Sequence, residues 1–108
     1  MAAFHWNVAT GQFDWPPAFR QLCGFSSDVP ATYEAWLQSL HPDDRAPAEQ
    51  QLQHAMQNRS PLDLEYRIVR PDGAERWIAA KGRFSYGQDG TPLRLDGVAA
   101  DISPRKTI

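Results

Sequence analysis

Residues 62–84 read LDLEYRIVRPDGAERWIAAKGRF, and the period of this stretch decides the fold. Leu62, Leu64, Tyr66 and Ile68 alternate with Asp63, Glu65 and Arg67, the two-residue repeat of a strand with one buried and one wet face. Pro71-Asp72-Gly73 supplies the residues a hairpin turn needs. On the return strand Ile78, Ala80, Gly82 and Phe84 share one face, while Trp77, Ala79, Lys81 and Arg83 take the other. Gln88-Asp89-Gly90 makes a second turn. A last strand from Leu93 to Ile102 then sets Leu95, Gly97, Ala99 and Asp101 on one side and Val98, Ala100 and Ile102 on the reverse.

Upstream the period lengthens to about 3.6 residues. Thr32 is placed to cap a helix over Tyr33 to Leu40, with Tyr33, Trp36, Leu37 and Leu40 on one face. His41-Pro42 breaks it. After Asp43-Asp44-Arg45 a longer helix runs to about Asn58, with Ala48, Leu52, Ala55 and Met56 as its buried stripe. Asp43 or Asp44 is expected to cap it. Before these helices, Phe4 to Trp15 is short, aromatic and broken by Thr10-Gly11, which predicts two brief strands. Pro16 and Pro17 end them, and Ala18 to Leu22 forms a short helix stopped by Gly24. The whole predicts an α+β domain: a five-stranded antiparallel sheet with helices packed on one face.

Composition narrows the function. The chain has 108 residues, enough for one domain and one small core, with 42% hydrophobic and 22% charged residues. A formal charge of −2 with no basic stripe argues against a nucleic-acid partner. The single cysteine, Cys23, excludes an internal disulfide and fits the cytoplasm, and no Cys or His spacing matches a zinc site. The stretch Met1-Ala2-Ala3-Phe4-His5-Trp6 carries neither a signal peptide nor a membrane span, so direct membrane contact is not expected, although a parent protein could hold an anchor elsewhere. No internal repeat, low-complexity tract or linker interrupts the chain.

Four pieces in order carry a family resemblance: LHPDDR at 40–45, EYRIVRPDG at 65–73, RWI at 76–78 and GVAADISPRK at 97–106. Together they resemble a PAS domain of the PAS-3 type with its C-terminal PAC segment, over Trp6 to Lys106. Ser103 stands where the family's exit motif has Thr, a change that keeps the hydroxyl. The flanking N-terminal helix common in the family is not in this sequence. The resemblance implies one domain over 1–108, with strands and helices from 4 to 62, a three-stranded meander from 62 to 103, and the start of a linker at 104–108. It further implies a sensory module of a bacterial signalling protein. Asp101, Ile102 and Ser103 would be the exit to an output domain in the same polypeptide, a histidine kinase or a diguanylate cyclase.

The resemblance also frames the question of a cofactor. Flavin-binding relatives use a reactive cysteine in an Asn-Cys-Arg-Phe-Leu-Gln segment, which is missing here; Cys23 lies on the first helix as a small core residue. They also bond the ring through amides on the last three strands. Aligned on the Pro71-Asp72-Gly73 turn, those positions are Ile68, Ile78 and Ala99, which neither donate nor accept, so flavin is disfavoured. Haem-binding relatives supply a histidine from the long helix, but His54 sits about 200° around the axis from Leu52 and points to water. His41 reads as a turn or hydrogen-bonding residue, and His5 has no partner in sequence. Neither haem nor metal is expected.

What remains is an inward wall of Leu64, Tyr66, Ile68, Ile78, Ala80, Phe84, Leu95 and Ala99, either plain core or the wall of a small apolar ligand site. Such a cavity is expected beneath Ala80, Gly82, Gly97 and Ala99, with the Tyr66 hydroxyl as its polar group. On the other face, Val69, Trp77, Val98, Ala100 and Ile102 form an apolar surface suited to a homodimer contact, or else a half-wet face with Trp77 among the stems of Lys81 and Arg83. Asp43, Asp44, Arg45, Glu75, Arg76 and Asp101 form no acid and base set, and no catalytic residue is expected. The alternative to a sensor is a ligand-free interaction or dimerisation module.

Overall fold

The alternation of 62–84 pairs in register, Leu62 opposite Gly82, Leu64 opposite Ala80 and Tyr66 opposite Ile78. The structure is a computed structural model and describes residues 1–106. Its elements in chain order are β1 (Ala2–Asn7), β2 (Phe13–Asp14), α1 (Pro17–Cys23), α2 (Tyr33–Ser39), α3 (Pro42–Asn58), β3 (Leu62–Val69), β4 (Glu75–Tyr86), β5 (Pro92–Asp101) and α4 (Ser103–Lys106). The five strands form one antiparallel sheet in the order β2-β1-β5-β4-β3, so the first strand lies beside the last. No described helix is long and apolar enough to cross a membrane.

Local chemistry explains the helix ends. Gly24 terminates α1 in the left-handed region at φ 75°, its N–H returning to the carbonyls of Arg20 and Gln21. The Thr32 hydroxyl accepts the Ala35 N–H at 3.0 Å and starts α2. The long helix begins earlier than Asp43-Asp44-Arg45 suggested, because Pro42 takes the first helical position, where its missing N–H costs nothing. Its cap is His41, whose Nδ1 accepts the Asp43 N–H at 3.1 Å, and not Asp43 or Asp44. Ala48, Leu52 and Ala55 are buried as expected, whereas Met56 is half-buried.

β3 is an edge strand, and its free edge is covered by the corner between α2 and α3. Leu40 bridges to Ile68, and the His41 N–H donates to the Arg67 carbonyl at 2.9 Å. Asp44 accepts the Arg67 backbone N–H at 2.7 Å through Oδ2, and the guanidinium through both oxygens at 3.0 and 2.7 Å. Arg45 turns the other way, donating to the carbonyls of Leu40 and Gln38 at the end of α2. Each residue of LHPDDR thus serves the same corner.

Gly97 sits where β1, β4 and β5 press closest. A Cβ there would lie 2.5 Å from the Lys81 carbonyl oxygen and 2.6 Å from Cζ of Phe4. Neither neighbour can move without shifting a strand or a buried ring. Gly97→Ala is therefore expected to lower unfolding stability by about 1–3 kcal/mol, read as a lower urea midpoint at unchanged slope. An unchanged midpoint would disprove the close approach.

Candidate ligand cavity and exit segment

The inner face of the sheet and the helices line a small cavity of about 20 Å³. One water needs roughly 10–15 Å³ of such space, so the closed domain holds little more. From the sheet, Leu64, Tyr66, Ala80 and Leu95 line it; Ile68, Ile78, Phe84 and Ala99 do not. The space expected beneath Gly82, Gly97 and Ala99 is filled instead. The Phe4 ring lies over Gly97, and Leu95 Cδ1 would stand 3.0 Å from a Cβ at Gly82. The cavity is displaced toward Phe4, Trp6 and Phe13 of the first strands, under Tyr33 and Trp36 of α2. The spacing of Phe4 and Trp6, two apart on a strand, was the signal that these rings share the inner face.

The polar groups around this cavity are few. Trp36 Nε1 donates to the Tyr66 hydroxyl at 3.3 Å. Burial pushes the Tyr66 phenol upward, so it stays protonated. Tyr33 donates its hydroxyl to Glu49 Oε2 at 3.0 Å and stacks on Trp6 at 5.2 Å and 20°. The Trp6 indole N–H is buried without a partner among the described residues.

The histidines and the cysteine lie apart from it. His54 is exposed and contacts Asn58 at 3.2 Å. His5 does have a partner, Asp96, which faces it across β1 and β5 with 2.7 Å between Nδ1 and Oδ1. Cys23 is buried in the core, and desolvation pushes its thiol up to about 12, leaving it an unreactive packing group. No cluster of three metal-ligating side chains occurs among the described residues. Asp44 is committed to Arg67, Arg45 to the end of α2, and Arg76 and Asp101 to each other, and these groups converge on no common point.

Asp101, Ile102 and Ser103, expected as an exit, form a second bonded cluster. The Ile102 N–H donates to the Trp77 carbonyl at 2.8 Å, and the Trp77 N–H donates to Ser103 Oγ at 2.8 Å. Asp101 accepts the Ser103 N–H through Oδ1 and Arg76 Nε through Oδ2, both at 2.8 Å. Residues 104–106, expected as the start of a linker, form the single turn α4 together with Ser103; residues 107 and 108 of that linker lie outside the described residues. Ile102 and Ser103 are buried, which the alternation did not foresee. Trp77 lies not among the stems of Lys81 and Arg83 but against the cations of Arg67 and Lys106, 5.5 and 4.7 Å from its ring centre. Lys106 also pairs with Glu65 at 2.8 Å. Val69 and Val98 remain exposed on this face, with Ala100 half-buried.

This sheet and its helices match a known family. A family model described as the PAS fold, of the PAS-3 type, covers residues 12–99. The chain belongs to the PAS family. The PAS domain is 29% identical to the sensor protein FixL of Bradyrhizobium diazoefficiens over 94% of this chain and 20% of that protein. It is 28% identical to the Escherichia coli K12 protein named "Probable diguanylate cyclase DgcE" over 97% of this chain and 9% of that one. Further relatives are named blue-light-activated histidine kinases. Among solved structures, a sensory box histidine kinase/response regulator from Burkholderia thailandensis superposes with a TM-score of 0.85 at 31% identity, covering 98% of this chain and 79% of that one. The PAS domain spans a fifth or less of the curated relatives named by length.

Two outcomes follow for the exit. Ser103→Ala strips the buried acceptor from the Trp77 N–H and should cost about 1–2 kcal/mol in a urea melt, whereas Ser103→Thr should be near neutral. Equal losses in both would show that the hydroxyl is not the group that matters. For Asp101, burial works to raise the carboxyl, but Arg76 and the Ser103 bonds outweigh it and hold it below its ordinary value near 3.8. With the folded value depressed, the stabilisation is complete above the unfolded value and is lost as pH falls through the folded one. Amide exchange at Ser103 should therefore accelerate below about pH 4 before the core strands open; simultaneous opening would refute a locally held exit.

Proposed function

We propose that this PAS domain is a sensory and regulatory module, not itself catalytic, that relays occupancy of its interior cavity through the end of β5 to an output domain in the same polypeptide. Its histidine kinase and diguanylate cyclase relatives point to an output of one of those types. The supporting observation is that β4 serves both places. Ala80 of β4 lines the cavity, and three residues earlier the Trp77 backbone holds Ile102 and Ser103. A shift of β4 that enlarges the cavity necessarily moves the groups that seat α4. The signal exit is therefore Asp101, Ile102 and Ser103, and the linker starts within 104–108.

The occupant is a small, mostly apolar molecule. Flavin and haem fit this interior poorly, because the cavity is only about 20 Å³ and His54 faces solvent. The lone reduced thiol suits a cytoplasmic module, whatever anchors the parent chain. The exposed Val69 and Val98, beside Trp77 and Ala100, favour a homodimer contact on the outer face, which also serves the alternative reading as a dimerisation module.

Asp101→Ala in the full-length parent should remove the response of the output while the isolated domain keeps its strand signature and loses only about 1 kcal/mol of stability. A wild-type response would sink the relay. Native against denatured mass separates the two readings: a bound small molecule supports the sensor, and a ligand-free dimer that dissociates on Val98→Lys supports the dimerisation module.

A further inference from the structure

We infer that the uncovered stretch of the β3 edge, Asp63 to Glu65, docks an extended peptide that joins the sheet as a further strand beside α3 and carries basic side chains on its outer face. Successive residues of a strand turn their backbone groups to opposite sides. Leu62, Leu64, Tyr66 and Ile68 turn theirs to β4, in step with the hairpin bond from the Arg70 N–H to the Ala74 carbonyl. Asp63, Glu65 and Arg67 therefore turn theirs to the free edge. At Arg67 the Asp44 carboxylate and the His41 N–H satisfy them. Asp63 and Glu65 are exposed, and their outward N–H and C=O groups have no partner among the described residues.

This open stretch has fixed ends. Pro61, the preceding outward position, has no N–H to give a further strand, and the corner at Arg67 closes the other side. Beside it a groove of about 380 Å³ separates the second half of α3 from the start of β3, with Gln50, Gln51, His54 and Ala55 on the helix side. An extended chain adding to an edge next to a helix takes its affinity from backbone bonds and its specificity from alternate side chains.

Charge decides the occupant. Asp63 and Glu65 alternate with the buried Leu64, so both carboxylates stand on the outer face of the sheet. A second copy pairing antiparallel about Leu64 would set each Asp63 opposite a Glu65, and like charges directly opposite destabilise a pair. A strand with Lys or Arg at those positions meets the carboxylates instead. Glu65 already pairs in this way with Lys106 at 2.8 Å, whereas Asp63 has no cation among the described residues. The alternate side chains of the added strand turn toward the groove, where Ala55, Pro61 and Leu62 offer apolar contact. The fitting sequence thus alternates basic and apolar residues.

The test titrates the ¹⁵N-labelled domain with acetyl-Val-Lys-Val-Lys-Val-amide and two controls. One control carries Glu for Lys; the other is N-methylated at both lysine amides, which keeps the charge and removes the donors that face the edge. The expected result is that the first peptide binds about tenfold more tightly than either control, the scale of one or two net hydrogen bonds or charge pairs. The Asp63 and Glu65 amides should shift and exchange with solvent about tenfold more slowly. Asp63→Lys, at an exposed side chain with no bond to lose, should bring the lysine and glutamate peptides to equal affinity. Equal binding of all three peptides, or of none, overturns the inference, as do shifts that leave the Asp63 and Glu65 amides unprotected. Protection of these amides that rises with protein concentration alone also overturns it, and makes a second copy the occupant.

Discussion

The carboxylate of Asp44 joins the helical layer to the sheet at the β3 edge, where the sheet would otherwise end in unpaired backbone. It takes the outward N–H of Arg67 and both arms of its guanidinium, so one side chain closes the edge of β3 and fixes the direction of a long cation. That direction matters beyond the edge. The same guanidinium lies against Trp77, whose ring also carries Lys106 of α4, and whose backbone carries Ile102 and Ser103. The start of α3 and the start of α4 are thus linked across the outer face by contacts that never enter the core. The Arg67 contact holds the Asp44 carboxyl well below its ordinary range despite partial burial, so at neutral pH the seam is charged and intact.

Inside, the cavity lies where complementarity of large and small residues runs out. Phe4 is matched to Gly97 and Leu95 to Gly82, which closes the middle of the sheet's inner face. Nearer β1 and α2 the lining is rich in large flat residues, whose rings lie at ordinary packing distances around the small cavity. The same lining leaves an indole N–H out of reach of any acceptor. A well-packed centre beside an imperfectly packed aromatic flank places the structural slack at α2, a seven-residue helix joined to the rest by few side-chain bonds.

The fold was legible because its signals are local. Alternation in 62–84, the Thr32 cap and the Gly24 stop each require only a few neighbours along the chain to be read. The capping of α3 was not, since a histidine before proline competes with two aspartates that look better suited, and only the distant Arg67 shows that Asp44 is already spent. The cavity was misplaced for a related reason. Small residues at Gly82, Gly97 and Ala99 suggest space, but whether space exists depends on what the adjacent strand brings, and β1 comes from the opposite end of the chain. Family likeness suggested Asp101-Ile102-Ser103 as an exit, whereas the burial of Ile102 and Ser103 needed the turn α4 to fold back over β4.

The relation of cavity to exit turns on an odd number. Ala80 and Trp77 are three residues apart on one strand, so their side chains face opposite sides of the sheet, about 10 Å apart. A contact made to the inner side of β4 cannot reach the outer side through side chains, only through displacement of the strand itself. The exit meets this condition, because Ile102 and Ser103 bind the Trp77 backbone N–H and carbonyl rather than its ring. The ring is free to do something else, and it is occupied by the two cations that report on α3 and α4. One strand therefore holds two sets of contacts, its backbone bonds to Ile102 and Ser103 and its ring against the cations of Arg67 and Lys106. Both end on the same four-residue turn.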